Sequence, residues 1–169
     1  MFIFPKKPKD LEKKRLLFVL KQRELTWSND LYSSEYSSGL LNSVRFVQHM
    51  IDKHFNNYTP ELSQVIDHNS IDREVARFKP DICIIEALWV TPEKIDELTR
   101  LHPNVNWVIR VHSELPFISN EGIAMDWLNR YVANSKVRVA ANSERMRDEL
   151  TQLLRHPAIF LPNCYEFLD

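Results

Sequence analysis

A chain of 169 residues with 44% apolar and 27% charged side chains has an ordinary globular composition, long enough for a single α/β core and too short for two full lobes. Its formal net charge of −1 removes any global basic footprint, so there is no strong nucleic-acid signal. The two cysteines, Cys83 and Cys164, form neither a C-x-x-C pair nor a zinc-spaced group, as suits reduced thiols inside a cell.

The opening MFIFPKKPKDLEKKR lacks the apolar stretch of about 7–15 residues that a signal peptide needs. No apolar run approaches the roughly 18–20 residues that span a bilayer, and the expected location is cytoplasmic. Residues 1–13 read as a flexible basic arm. The cluster Lys6, Lys7, Lys9, Lys13, Lys14 and Arg15 offers at most weak contact with an anionic membrane, because acids are interspersed and no amphipathic apolar face accompanies it.

RLLFVL (15–20) has the unbroken apolar character of a strand buried on both faces. The polar, serine-rich stretch 21–39 then reads as a long binding loop. A helix is expected to start at Gly39, with Leu40, Leu41, Val44, Val47, Met50 and Ile51 on one stripe. LSQVIDH (62–68) is a weaker strand, followed by a helix capped by Ser70 and ended by Pro80. DICIIEALWV (81–90) is the second strongly buried strand. Thr91 as cap, Pro92 at the first helical position and acidic residues behind them predict the next helix.

NWVIRVHS (106–113) is a strand, IAMDWLNRYVANS (123–135) is helical, and VRVAANS (137–143) is a short strand whose Ser143 caps ERMRDELTQLLRH. AIFLPN (158–163) is the sixth strand. Strands alternating with helices predict a Rossmann-like three-layer fold, an α/β parallel sheet of about six strands with helices on both faces. Ligands in such sheets gather beyond the carboxyl ends of the strands.

With only two glycines, Gly39 and Gly122, neither G-x-G-x-x-G nor a Walker loop exists, and no D-x-D pair supports a metal. The first strand end carries Lys21, Arg23 and Trp27. Ser37, Ser38 and Gly39 suit either close approach of a phosphate to a helix start or a plain cap. Alternation places Val108, Arg110 and His112 on one side of their strand. Burying the arginine costs several kcal/mol unless it is paired, and Glu86 or Glu114 are the candidate partners. His112 suits proton chemistry or a structural hydrogen bond. Trp89 suits stacking on a sugar or capping the core, and capping accounts for Ser143 beside Asn142.

In this order, the Gly39 helix start, VHS, the VAANSERMRDEL unit and the closing IFLPNCYEF resemble the N-terminal lobe of a GT-B glycosyltransferase, most similar to the family 4 retaining enzymes. The resemblance covers residues 14–169 and departs from the family where Cys164 and Ser38 replace glycines. It implies the acceptor-binding half of an enzyme that transfers a hexosyl group from a nucleotide-diphosphate sugar to a sugar acceptor, without a cofactor or metal. Such a half is inactive until joined to a C-terminal GT-B lobe, which lies beyond these residues.

In that reading His112 is catalytic, and Ser38 and Gly39 face the donor. Lys21, Arg23, Trp27, Glu86, Trp89 and Arg110 bind the acceptor, and Pro162 and Asn163 form the hinge. The alternative is a stand-alone, non-catalytic binding or interaction protein built on the same lobe. A flavodoxin-like or receiver-like module is a third reading, opposed by the strand count and by the lack of an acidic cluster at the first strand end.

Overall fold

The computed structural model describes residues 12–22, 33–112 and 122–165. Its strands are β1 (Lys14–Lys21), β2 (Tyr58–Val65), β3 (Ile82–Glu86), β4 (Asn106–Val111), β5 (Val137–Ala141) and β6 (Ile159–Phe160). The helices described between them are α1 (Ser33–His54), α2 (Ile71–Phe78), α3 (Pro92–Leu101), α4 (Gly122–Val132) and α5 (Glu144–Leu154). The six strands form one sheet in the order β2-β1-β3-β4-β5-β6, and every pairing is parallel. This is the expected α/β class. The order is the flavodoxin-like one with a sixth strand added beside β5, so the strand count does not exclude that topology.

The crossover from β1 to β2 runs one way along the sheet and the later crossovers run the other. Right-handed connections therefore place, among the described helices, α1 on one face and α2 to α5 on the opposite one. The core divides accordingly. Leu16, Phe18 and Leu20 of β1 meet Val44, Val47 and Ile51 of α1. On the other side Leu17 and Val19 join Val75, Leu98, Leu128 and Leu150 from the four remaining helices. Alternating side chains of one strand thus enter two cores, which explains why RLLFVL is apolar throughout.

Thr91 accepts a hydrogen bond from Lys94 N, with Pro92 at the helix start, and Ser143 accepts one from Met146 N. Ser70 makes no such cap. Asp67 accepts instead from the backbone of Asn69 and Ser70, closing a short turn before α2. β2 begins at Tyr58 and contains Pro60, which an edge strand accommodates because its outer side needs no donor.

The largest departure is the start of α1 at Ser33 rather than at Gly39. Once the amphipathic segment from Leu40 to Ile51 is helical, each added turn is cheap compared with nucleation, and the serine-rich stretch joins it. Gly39 therefore sits inside a helix. A Cβ there would meet nothing within 4 Å, so no close approach requires a glycine.

Both cysteines are free thiols. Cys83 is buried in β3, and burial pushes its thiol far up; Cys164 is half-buried. A thiol reagent added to the native protein is expected to modify Cys164 promptly and Cys83 only after unfolding, read as one and then both of the two thiols. Prompt reaction of both would show that β3 opens without global unfolding.

Candidate functional site

The carboxyl ends of the three central strands meet around Arg110. Parallel register sets Arg110 of β4 opposite Glu86 of β3 on one side and Ala140 of β5 on the other. The side chains of Arg110 and Glu86 are both 0% exposed. Arg110 Nη1 donates to Glu86 Oε2 at 3.3 Å and Oε1 at 3.4 Å. Its Nε donates to the Leu161 carbonyl at 3.0 Å and its Nη2 to Asn163 Oδ1 at 2.7 Å. A guanidinium removed from water is tolerable when its charge is answered and its donors are satisfied, and here each of its nitrogens has an acceptor.

Glu86 also receives His112, whose Nε2 lies 2.5 Å from Oε2. The imidazole is 17% exposed at the rim, held by a carboxylate that fixes which ring nitrogen bears the proton. Behind Glu86 the chain turns sharply. Ala87 has φ 73°, in the left-handed region that favours glycine, and its N–H donates to the Arg110 carbonyl at 2.9 Å. Trp89 Nε1 donates to the Glu86 carbonyl at 2.9 Å, which keeps the indole half-buried against the core. The strained turn, the buried ion pair and the segment after β6 thus form one connected unit.

Of the residues singled out from the sequence, this unit gathers Glu86, Trp89, Arg110, His112 and Asn163. Lys21 lies exposed at the end of β1. Arg23, Trp27 and Glu114 lie outside the described residues. Ser38 and Gly39 fall in the second turn of α1. Their backbone N–H groups there point back along the helix, so a donor-facing helix start at Gly39 is corrected.

Glu86 and Arg110 are corrected as acceptor-binding residues, because burial closes both to any solute. Pro162 and Asn163 are half-buried, and Asn163 is bonded to Arg110. The reading from sequence anticipated Glu86 as the partner of Arg110 but missed Leu161 and Asn163, which are 51 and 53 residues away along the chain. No local signal marks so distant a pairing. Among the described residues no group of three or more His, Cys, Asp or Glu side chains is placed to hold a metal ion. No described helix is long and apolar enough to cross a membrane.

No protein-family model matches the chain, and no curated protein matches it. Among solved structures it is similar to a two-component response regulator of the LuxR family from Aurantimonas sp. SI85-9A1, at 12% identity and a TM-score of 0.43, covering 88% of this chain and 90% of that one. The functional expectation is corrected at the strand ends themselves, where Arg110, Glu86 and Asn163 are bonded to one another. The similar structure is a response regulator and not a glycosyltransferase. The assignments of transferase activity, of a nucleotide-sugar donor and sugar acceptor, and of a C-terminal GT-B partner lobe are withdrawn. The geometry gives the physical reason: the motifs that carried the resemblance are used in building the sheet, Ser143 as a helix cap and Asn163 as a brace for Arg110.

Proposed function

We propose that this chain is a non-catalytic binding or interaction domain that presents the carboxyl edge of its sheet to a partner. One observation carries the reading: the strand-end side chains suited to proton chemistry are bonded to one another, and of them only His112 reaches the rim. Arg110 and Glu86 are wholly buried, His112 directs Nε2 at Glu86, and Asn163 closes over the guanidinium. Group transfer needs such groups aimed at an open cleft. Here they hold β3, β4 and the segment after β6 together. Around them stand Lys21, half-buried Trp89, and Ile66 and Ile123, which are 65% and 63% exposed, a mixed apolar and polar rim suited to a protein surface.

The test uses the whole chain as bait in the cells that make it. Ile66→Asp and Ile123→Asp alter the carboxyl edge, and Leu101→Asp alters an exposed position at the opposite edge. A specific partner is expected with the wild type and with Leu101→Asp, and to be lost with both rim variants. Equal recovery by all four proteins, or turnover of a small substrate by the purified chain, would overturn the reading.

A further inference from the structure

The opposite, amino edge of the sheet holds a hollow of about 570 Å³ between the start of β1, the end of α2 and the residue before β3. Five cations line it, Lys13, Lys14, Arg15, Arg77 and Lys79, against the carboxylates Glu12 and Asp81. In a chain of net charge −1 this is a local concentration. Arg77 is occupied elsewhere, paired with Glu61 and Glu74. Asp81 accepts the Arg15 backbone N–H at 2.8 Å and lies 3.9 Å from Lys14 Nζ. Lys13 and Lys79 make no ion pair among the described residues.

The lysines around the hollow are exposed, and two details bear on the geometry around them. Arg15 stacks its guanidinium over the Phe78 ring at 4.2 Å from the centroid and donates Nε to the Phe78 carbonyl at 2.8 Å. Its two terminal nitrogens keep the fork geometry that suits oxyanions. Lys79 ends α2 with φ 52°, where glycine or asparagine would sit without strain. A lysine there carries a backbone cost and places its charge at the hollow.

We propose that this hollow binds a small, multiply charged phosphate compound, of pyrophosphate or triphosphate character, through Lys13, Lys14, Arg15 and Lys79. Set against Glu12 and Asp81, these four cations leave a local surplus of positive charge, which suits a polyanionic phosphate group better than a single carboxylate. The Phe78 face is already covered by Arg15, so recognition runs through the anionic group rather than through stacking on an aromatic base. The site lies at the edge opposite the rim discussed above and stands independently of that reading.

Calorimetric titration of the full chain with sodium pyrophosphate and with tripolyphosphate tests it. Saturable binding is expected, weakened about tenfold or more by Lys13→Gln and by Lys79→Gly, the scale of one lost charge-assisted contact. Glycine takes the left-handed conformation freely, so Lys79→Gly is expected to keep or raise the thermal midpoint, which separates lost affinity from lost fold. Lys21→Gln, at the far edge, is expected to leave affinity unchanged. Absence of binding, binding indifferent to Lys13→Gln and Lys79→Gly, equal affinity for citrate, or binding of a DNA oligomer without binding of pyrophosphate would each overturn the proposal.

Discussion

Glu86→Ala is expected to lower the unfolding free energy by about 3–5 kcal/mol, the cost of leaving one member of a buried ion pair alone. The substitution strands Arg110, 0% exposed, with only the neutral oxygens of Leu161 and Asn163 as partners. A guanidinium cannot shed its proton to escape that environment. The converse change, Arg110→Met, leaves a carboxyl group that still has His112 beside it at 2.5 Å.

The two single variants should therefore differ, with Glu86→Ala the more damaging. Combining them should recover part of the loss, because an apolar pair avoids the desolvation of both charges. Urea denaturation with matched slopes measures all three. If Glu86→Ala and Arg110→Met each cost under about 1 kcal/mol, the range of exposed ion pairs, the unit described at the strand ends is not closed to water. A proteolytic cut near Leu161 that appears in Glu86→Ala, while the rest of the chain resists, would show that the ion pair also holds the segment after β6.

Trp107→Ala is expected to cost about 3–5 kcal/mol, as for other large-to-small changes in a packed core. Trp107 is completely buried in β4, in register with Cys83 of β3 and Val137 of β5. Its side chain fills the larger core beneath α3 and α4. The indole Nε1 finds no acceptor among the described residues, and an orphaned buried donor costs about 1–3 kcal/mol. Phenylalanine removes that donor while leaving a smaller void. Trp107→Phe should consequently lose far less than Trp107→Ala, within about 1–2 kcal/mol of the wild type by the same terms. Thermal and urea unfolding of both variants checks the ordering. Equal losses would mean that the indole nitrogen has an acceptor after all and that volume alone does not decide the cost.

The response regulator similarity carries no weight in either prediction; both rest on burial and pairing within this chain. The failure of the transferase reading is instructive in the same terms. A serine before a helix, an asparagine after a proline and a histidine just past a strand each serve the construction of a parallel sheet. Their order along the chain follows from the alternation of strands and helices. Ser143 is bonded to Met146 N and Asn163 to Arg110, whatever chemistry a related arrangement performs elsewhere. An ordered set of such motifs therefore reports the scaffold before it reports a reaction.

Local order was legible from the residues themselves. The β1, β3 and β4 runs, the caps Thr91 and Ser143, and the placement of Arg110 opposite Ile109 depend on side-chain periods and on hydrogen bonds within about four residues, and a sequence displays these directly. Tertiary structure alone decided the strand order, the extension of α1 back to Ser33, and the tie from Arg110 to residues 51 and 53 positions away. It also brought Lys13 and Lys79 to one hollow. Those outcomes balance burial and charge among groups that meet only after the chain has closed long loops. Their energies depend on distances that the order of residues does not contain.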